Sequence, residues 1–304
     1  MLLQILRVRN RRPPASGSAP DGEAVLPAAV GASQAARRRE GAATPLRWSP
    51  ARLAAAQTLW GNGFLGPPGA AEVQHLAAPL GLDGSRSVLL LAESAGGPGA
   101  TLAAGFGARV AAFEADPALA KAALAHVQER KLTERVTVQG WNPQSPALPR
   151  GAAHHALALE PLARMASAEV GAAVLFAGIA GALHRGGQMV LMELVRAPGP
   201  PGAGLLVWQV SAGRRSPPRA ARVEAAIAAS GFDLRIAEDI TERHVQAALR
   251  GWRELAARLR SARPGNAALA TLVGEAEQWL LRVRLLQSGQ LRLMRWHAVV
   301  KPAG

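Results

Sequence analysis

The groups best able to do chemistry gather between Val88 and Pro117, where the chain reads VLLLAESAGGPGATLAAGFGARVAAFEADP. From Ala92 to Ala100 nearly every residue is Gly, Ala, Ser or Pro, so the backbone can turn tightly and let a ligand approach closely. Glu114 lies about 20 residues beyond the start of that turn, at the end of the apolar run Val110–Phe113. A carboxylate at that distance can accept hydrogen bonds from both hydroxyls of a ribose. The same run of residues is also compatible with an ordinary strand–helix turn that binds nothing. His154 and His155 are the other reactive groups that stand out. Neighbours on a strand point to opposite faces, so the two cannot share a metal; His154 remains as the candidate general base. His126 reads as a boundary residue and His184 as a cap at a helix end. There is no cysteine and no tyrosine, which excludes disulfides, thiolate metal sites, a cysteine nucleophile and phenolic acid–base chemistry. No metal is expected.

These groups need a scaffold that brings strand ends together. Val88–Leu91 is uncharged, as a strand buried on both faces should be. Val110–Phe113, Val136–Gln139, His155–Leu159, a strand entered through Leu183–Leu191, Asp233–Glu238 and Leu291–Val300 read as six further strands. Helical stretches alternate with them. The first begins with Ser49 as N-cap and Pro50 at the first helical position, and another spans Pro117–Lys131. The last two, near 242–261 and 266–286, are broken at Pro264-Gly265, and their basic faces read as solvated. Seven strands alternating with helices predict an α/β fold, a three-layer α/β/α Rossmann-like sandwich whose seven-stranded sheet is mostly parallel.

Aligned to the pattern D/E-x-G-x-G-x-G-G, the turn places Leu90 at the acid, Ala92 and Ser94 at the first two glycines, and keeps Gly96-Gly97-Pro98. It resembles the nucleoside loop of class I S-adenosylmethionine (SAM)-dependent methyltransferases. Leu59–Gly69 (LWGNGFLGPPG) resembles the FGEGFVSTGG-like stretch before the first strand of small-molecule amine N-methyltransferases of the phosphoethanolamine type. Leu157, Leu159 and Glu160 match sFDhalaLEpl, with His154 at its Asp. Leu183–Leu191 is similar to the superfamily's LrPGGxlvl turn into the fifth strand, and Asp239-Ile240-Thr241 resembles the D-x-T found after the sixth strand in the amine-methylating relatives.

The resemblance covers roughly Trp48–Pro302. It implies SAM as cofactor, a small-molecule acceptor and an antiparallel last strand. It also implies cofactor contacts from Ala92, Ser94, Gly96, Gly97, Glu114, Ala115, Trp141, Asn142 and Glu160. Trp60, Phe64 and Trp208 become expected pocket walls, although both Trp60 and Phe64 could equally be packing residues. Leu90, Ala92, Ser94, Asn142 and His154 depart from the family pattern. Those departures keep a second expectation open: a catalytically inactive relative serving as an interaction or regulatory module.

The chain has 304 residues and a net charge of +14, but the excess is uneven. Residues 1–52 carry nine Arg against three acids, and residues 241–304 carry 11 basic residues against four acidic, whereas 53–240 hold 15 against 14. Arg outnumbers Lys 32 to three, a coding bias more than a phosphate-binding surface. Nucleic acid is therefore not the expected partner. No apolar run reaches the roughly 18–20 residues that span a bilayer, and MLLQILRVRNRRPP lacks the layout of a secretory signal, so a cytoplasmic location is expected. Residues 1–45 read as a disordered Arg/Pro/Gly-rich tail. Residues 46–304 form the methyltransferase-like domain: a helical cover (46–87), a nucleoside-binding core (88–195), and a substrate-side insertion with C-terminal helices and final strands (196–304).

Overall fold

The computed structural model describes residues 48–302, apart from 68, 166, 262 and 263. The expected tail lies outside the described residues. Seven strands form one sheet in the order β3-β2-β1-β4-β5-β7-β6. They are β1 (Ser87–Ala92), β2 (Arg109–Glu114), β3 (Val136–Gly140), β4 (Ala153–Leu159), β5 (Leu183–Arg196), β6 (Phe232–Asp239) and β7 (Leu291–Val300). β1 to β5 pair in parallel, while β7 runs antiparallel to both β5 and β6.

Alternation along β1 shows how the core divides. Val88 and Leu90 join one apolar cluster, and Leu89 and Leu91 join the other, on the opposite face of the sheet. The first face is covered by α1 (Pro50–Trp60), α2 (Ala70–Ala77), α3 (Gly97–Phe106), α6 (Ala203–Ser211), α8 (Thr241–Ser261) and α9 (Asn266–Gln287). The second carries α5 (Ala168–Ala182) and α7 (Ala220–Ala229). The remaining helix, α4 (Pro117–Glu129), packs beside β2 and β3. The antiparallel insertion of β7 between β5 and β6 leaves the parallel half with a topological switch between β1 and β4. Ligands of open α/β sheets bind at such a point, beyond the strands' C-terminal ends.

Local sequence explains the ends that matter. The Ser49 hydroxyl accepts from the Arg52 amide at 3.2 Å and Pro50 opens α1. Asp116 caps α4 by accepting from the amides of Ala118 and Leu119. Gly96 turns β1 into α3 with φ +98, and a Cβ there would lie 2.9 Å from the Ala123 carbonyl oxygen. Only glycine fits both demands.

Two readings need correction. His184 does not cap a helix: α5 ends at Ala182, and His184 is an exposed residue at the beginning of β5. The C-terminal helices are not merely basic on their solvent side, because Glu275 and Arg282 of α9 are only 5% and 7% exposed.

Candidate functional site

A cavity of about 170 Å³ opens at the C-terminal ends of β1 and β4. Its floor is built from Ala92, Ser94 and Pro98 of the glycine turn and from Leu159 and Glu160 at the end of β4. Phe64, Leu65, Gly66, Pro67 and Gly69 roof one side, and Trp208 of α6 and Trp279 of α9 wall the other. The roof is anchored through the turn's own amides: the Gly63 carbonyl accepts from Ala95 N–H at 3.1 Å and from Gly97 N–H at 2.9 Å. The approach is close enough that a Cβ on Gly63 would sit 2.5 Å from the Gly97 nitrogen.

The polar lining is a connected array of carboxylates and guanidiniums. Glu93 accepts from the Trp48 indole N–H at 2.7 Å, pairs with Arg164 and lies 3.7 Å from Arg214. Glu160 pairs with Arg214 and is gripped by Arg282 at 2.5 Å and 3.2 Å. Burial alone would raise the pKa of Glu160, yet Arg214 and Arg282 outweigh it and hold the carboxyl far below the usual range. Glu160 adopts φ +50, a left-handed conformation unusual for a residue with a side chain; there, its carboxylate bridges the two arginines. Behind this pair Glu193 is 2% exposed and accepts from the amides of Leu162 and Leu194. Burial and the neighbouring Glu160 push Glu193 up to about 8. His244, at the start of α8, faces the cavity with its Nε2 3.3 Å from Arg282. Burial and the Arg282 charge depress its pKa to about 3, so its ring is neutral.

Glu114 stands apart from this cavity. It is 5% exposed and its two oxygens accept from Ser94 N–H at 2.8 Å and Asp116 N–H at 2.9 Å. Burial pushes its carboxyl up to about 8 against the pull of those amides, and the Glu93 charge adds to the rise.

The comparisons with known proteins agree on the architecture. No protein-family model and no curated protein matches the sequence. Phosphoethanolamine N-methyltransferase 2 of Haemonchus contortus, in complex with phosphomonomethylethanolamine and S-adenosylhomocysteine, superposes with a TM-score of 0.70 at 18% identity. The match takes in 83% of this chain and 57% of that one, so the chain spans little more than half the length of that enzyme. Geranyl diphosphate C-methyltransferase of Streptomyces coelicolor A3(2), in complex with Mg2+, geranyl diphosphate and S-adenosyl-L-homocysteine, gives 0.57 at 17% identity over 76% of this chain and 80% of that one. This is the class I methyltransferase fold. The [4+2]-cyclase SpnF is also similar, at 0.59 and 20% identity over 81% of this chain and 86% of that one. The methyltransferase fold therefore does not by itself fix the reaction.

Within that fold the expected residues separate into three groups. Ala92, Ser94, Glu160, Phe64 and Trp208 meet at the cavity. Gly96 and Gly97 shape the turn beside it, with Phe64 packed over Gly97 so closely that a Cβ there would lie 2.7 Å from the ring. Ala115 and Trp141 are half-buried and Asn142 is exposed, all outside the cavity lining, and Asn142 accepts from the Gln144 amide. Two expectations fail on position. His154 sits at the opposite, N-terminal edge of the sheet, where its Nδ1 is 2.8 Å from the Ser87 hydroxyl and its ring 4.8 Å from that of His184. It cannot serve as base at the strand ends. Trp60 packs against Trp252 and Trp279 and supports the cavity wall from behind without lining it.

Sequence reasoning missed Glu93, Arg164, Arg214, His244 and Arg282. A signal existed for some. Glu93 is the single charge in a stretch of small residues, and Glu275, Trp279 and Arg282 recur at helical spacing along the apolar stripe of α9.

Proposed function

We propose that the protein is a SAM-dependent methyltransferase acting on a small molecule. The single observation that carries this reading is the aromatic-walled cavity at the ends of β1 and β4, beside a glycine turn roofed by Phe64, Leu65 and Gly66. When bound beside Ala92, Ser94 and Pro98, the cofactor would supply an electrophilic methyl group on its sulfonium to the acceptor's lone pair. The chain's own residues fit the cofactor unevenly. Ala92, Ser94 and Pro98 are small enough to border its amino-acid end, and Glu114 is the residue for its ribose. Glu114 now accepts from the amides of Ser94 and Asp116 instead, so ribose binding would have to compete with those two hydrogen bonds. In-line displacement asks the protein mainly for alignment and exclusion of water, which Phe64, Trp208 and Trp279 provide. No base at the position of His154 is needed for an acceptor that arrives with an available lone pair.

A second reading, a non-catalytic module that keeps the fold, is favoured by two particular observations. Leu90, in the place of the family's acid, is 1% exposed and packed in the core. Glu114 is covered, as described. Thermal unfolding separates the readings. Saturating S-adenosylhomocysteine, at about 100 times its Kd, should add about 2.7 kcal/mol of stability and raise the melting temperature by several degrees. An unchanged melting temperature at millimolar ligand would remove the methyltransferase reading and leave the module.

A further inference from the structure

Helix α6 turns one side to the molecule and the other to solvent. Successive residues of an α-helix rotate by about 100°, so Leu205 and Trp208 share one side and Leu206, Val207 and Val210 share the opposite one. Leu205 and Trp208 are buried, whereas Leu206, Val207 and Val210 are 48%, 59% and 60% exposed. These are three of the six large hydrophobics that stand exposed among the described residues; the others, Leu124, Val174 and Ile236, lie singly on α4, α5 and β6. Scattered exposed aliphatics are ordinary, but three on one helical stripe mark a contact surface.

The charges around the stripe point to what it meets. From Leu194 to Val223 the chain carries five arginines and no acidic residue. Arg214 is turned inward to Glu160, and Arg196 holds the Gly199 carbonyl oxygen at 3.1 Å. Arg215, Arg219 and Arg222 are exposed and form no ion pair among the described residues. They stand at the same end of the sheet as α6. At the end of β5, the Arg196 amide donates to the Pro218 carbonyl at 3.0 Å and the Ala197 amide to that of Gln290 at 3.1 Å. Gly202, the N-cap of α6, lies against the Gln290 side chain. A second copy seated on this face by two-fold symmetry would set like-charged arginines against one another, with no carboxylate of the segment to answer them. An anionic bilayer suits both features, because aliphatic side chains enter the boundary between headgroups and acyl chains while arginines meet the lipid phosphates and carboxylates.

We propose that α6 and the arginine-bearing loop after it dock the protein on an anionic membrane surface, with the cavity walled by Trp208 behind the docking helix. The contact is peripheral: among the described residues no helix is long and apolar enough to cross a membrane. It stands apart from the methyl-transfer reading and can hold or fail without it.

Co-sedimentation of the full chain with vesicles tests this, using phosphatidylcholine alone and phosphatidylcholine with about 30% phosphatidylserine. The wild type should partition onto the anionic vesicles at least about tenfold more strongly than onto the neutral ones. The whole chain carries a net charge of +14, so the decisive variant keeps that charge. Leu206→Ser with Val207→Ser and Val210→Ser should lower partitioning onto the anionic vesicles at least about tenfold, and Leu124→Ser with Val174→Ser should leave it unchanged. Arg215→Gln with Arg219→Gln and Arg222→Gln should weaken it more than Arg250→Gln with Arg253→Gln and Arg260→Gln, which remove the same charge from α8. All these side chains are exposed, and melting curves check that each variant folds. No sedimentation with anionic vesicles, a triple serine variant that binds like the wild type, or equal losses from the two arginine sets would each overturn the proposal. So would a dimer in gel filtration that the serine variant dissociates, which would make the face an interface between copies.

Discussion

Glu160 concentrates the electrostatics of the site. Its carboxylate pairs with both Arg214 and Arg282 inside the molecule, where a charge without a partner is expensive. Glu160→Gln should destabilise the protein by about 3–5 kcal/mol in chemical denaturation, the usual result of removing one member of a buried pair. Asp233 pairs with Arg235 in the open, with side chains 47% and 58% exposed. Asp233→Asn should therefore change stability by no more than about 1 kcal/mol. His244 makes a pH-dependent contribution. It is neutral when folded, with a pKa near 3, and charges near 6.5 when unfolded, so below that value the unfolded state takes up the proton and the folded state loses stability. Below pH 6.5 the wild type should lose up to about 1.4 kcal/mol per pH unit from this group, and His244→Asn should show a shallower slope in melts compared down to about pH 5. Parallel slopes would mean that the histidine is not buried as described.

At the scale of elements, the roof over the cavity depends on backbone contact and not on side chains. Gly63 has φ +84, and its carbonyl closes on the amides of Ala95 and Gly97. Gly63→Ala should lower stability by about 1–3 kcal/mol through strain and displacement of the roof, seen as a lower denaturation midpoint. Gly274, within α9, has open space where a Cβ would go; Gly274→Ala should stabilise by about 0.5–1 kcal/mol. The contrast also shows what the sequence could disclose. The turn at Gly96, the Ser49 and Pro50 helix start and all seven strands were legible because each follows from local pattern or cap chemistry. The Glu93–Arg164 and Glu160–Arg282 pairs were not, since their members lie 71 and 122 residues apart and no local rule brings them together. His154 misled for a related reason: its place in a motif was visible, but which end of β4 faced the cavity was not.

Considered whole, the molecule divides chemistry between two halves of one sheet. The parallel half supplies the turn and Glu160, while α6, α8 and α9, on the side of the antiparallel strands, bring Trp208, His244, Trp279 and Arg282 to the same cavity. The uneven charge follows the same division only in part. Arg282 and Arg243 are used at or beside the site, so the basic C-terminal region is not simply a solvated surface. The central claim is that Glu114 and the cavity serve one cofactor. Calorimetric titration of S-adenosylhomocysteine into the wild type and into Glu114→Ala, each checked for folding, tests it most directly. The account predicts measurable binding to the wild type, weakened in the variant by about 1.5–3 kcal/mol, the range for hydrogen bonds to a charged group. Equal affinity in the two proteins, or no heat with a folded wild type, would contradict it.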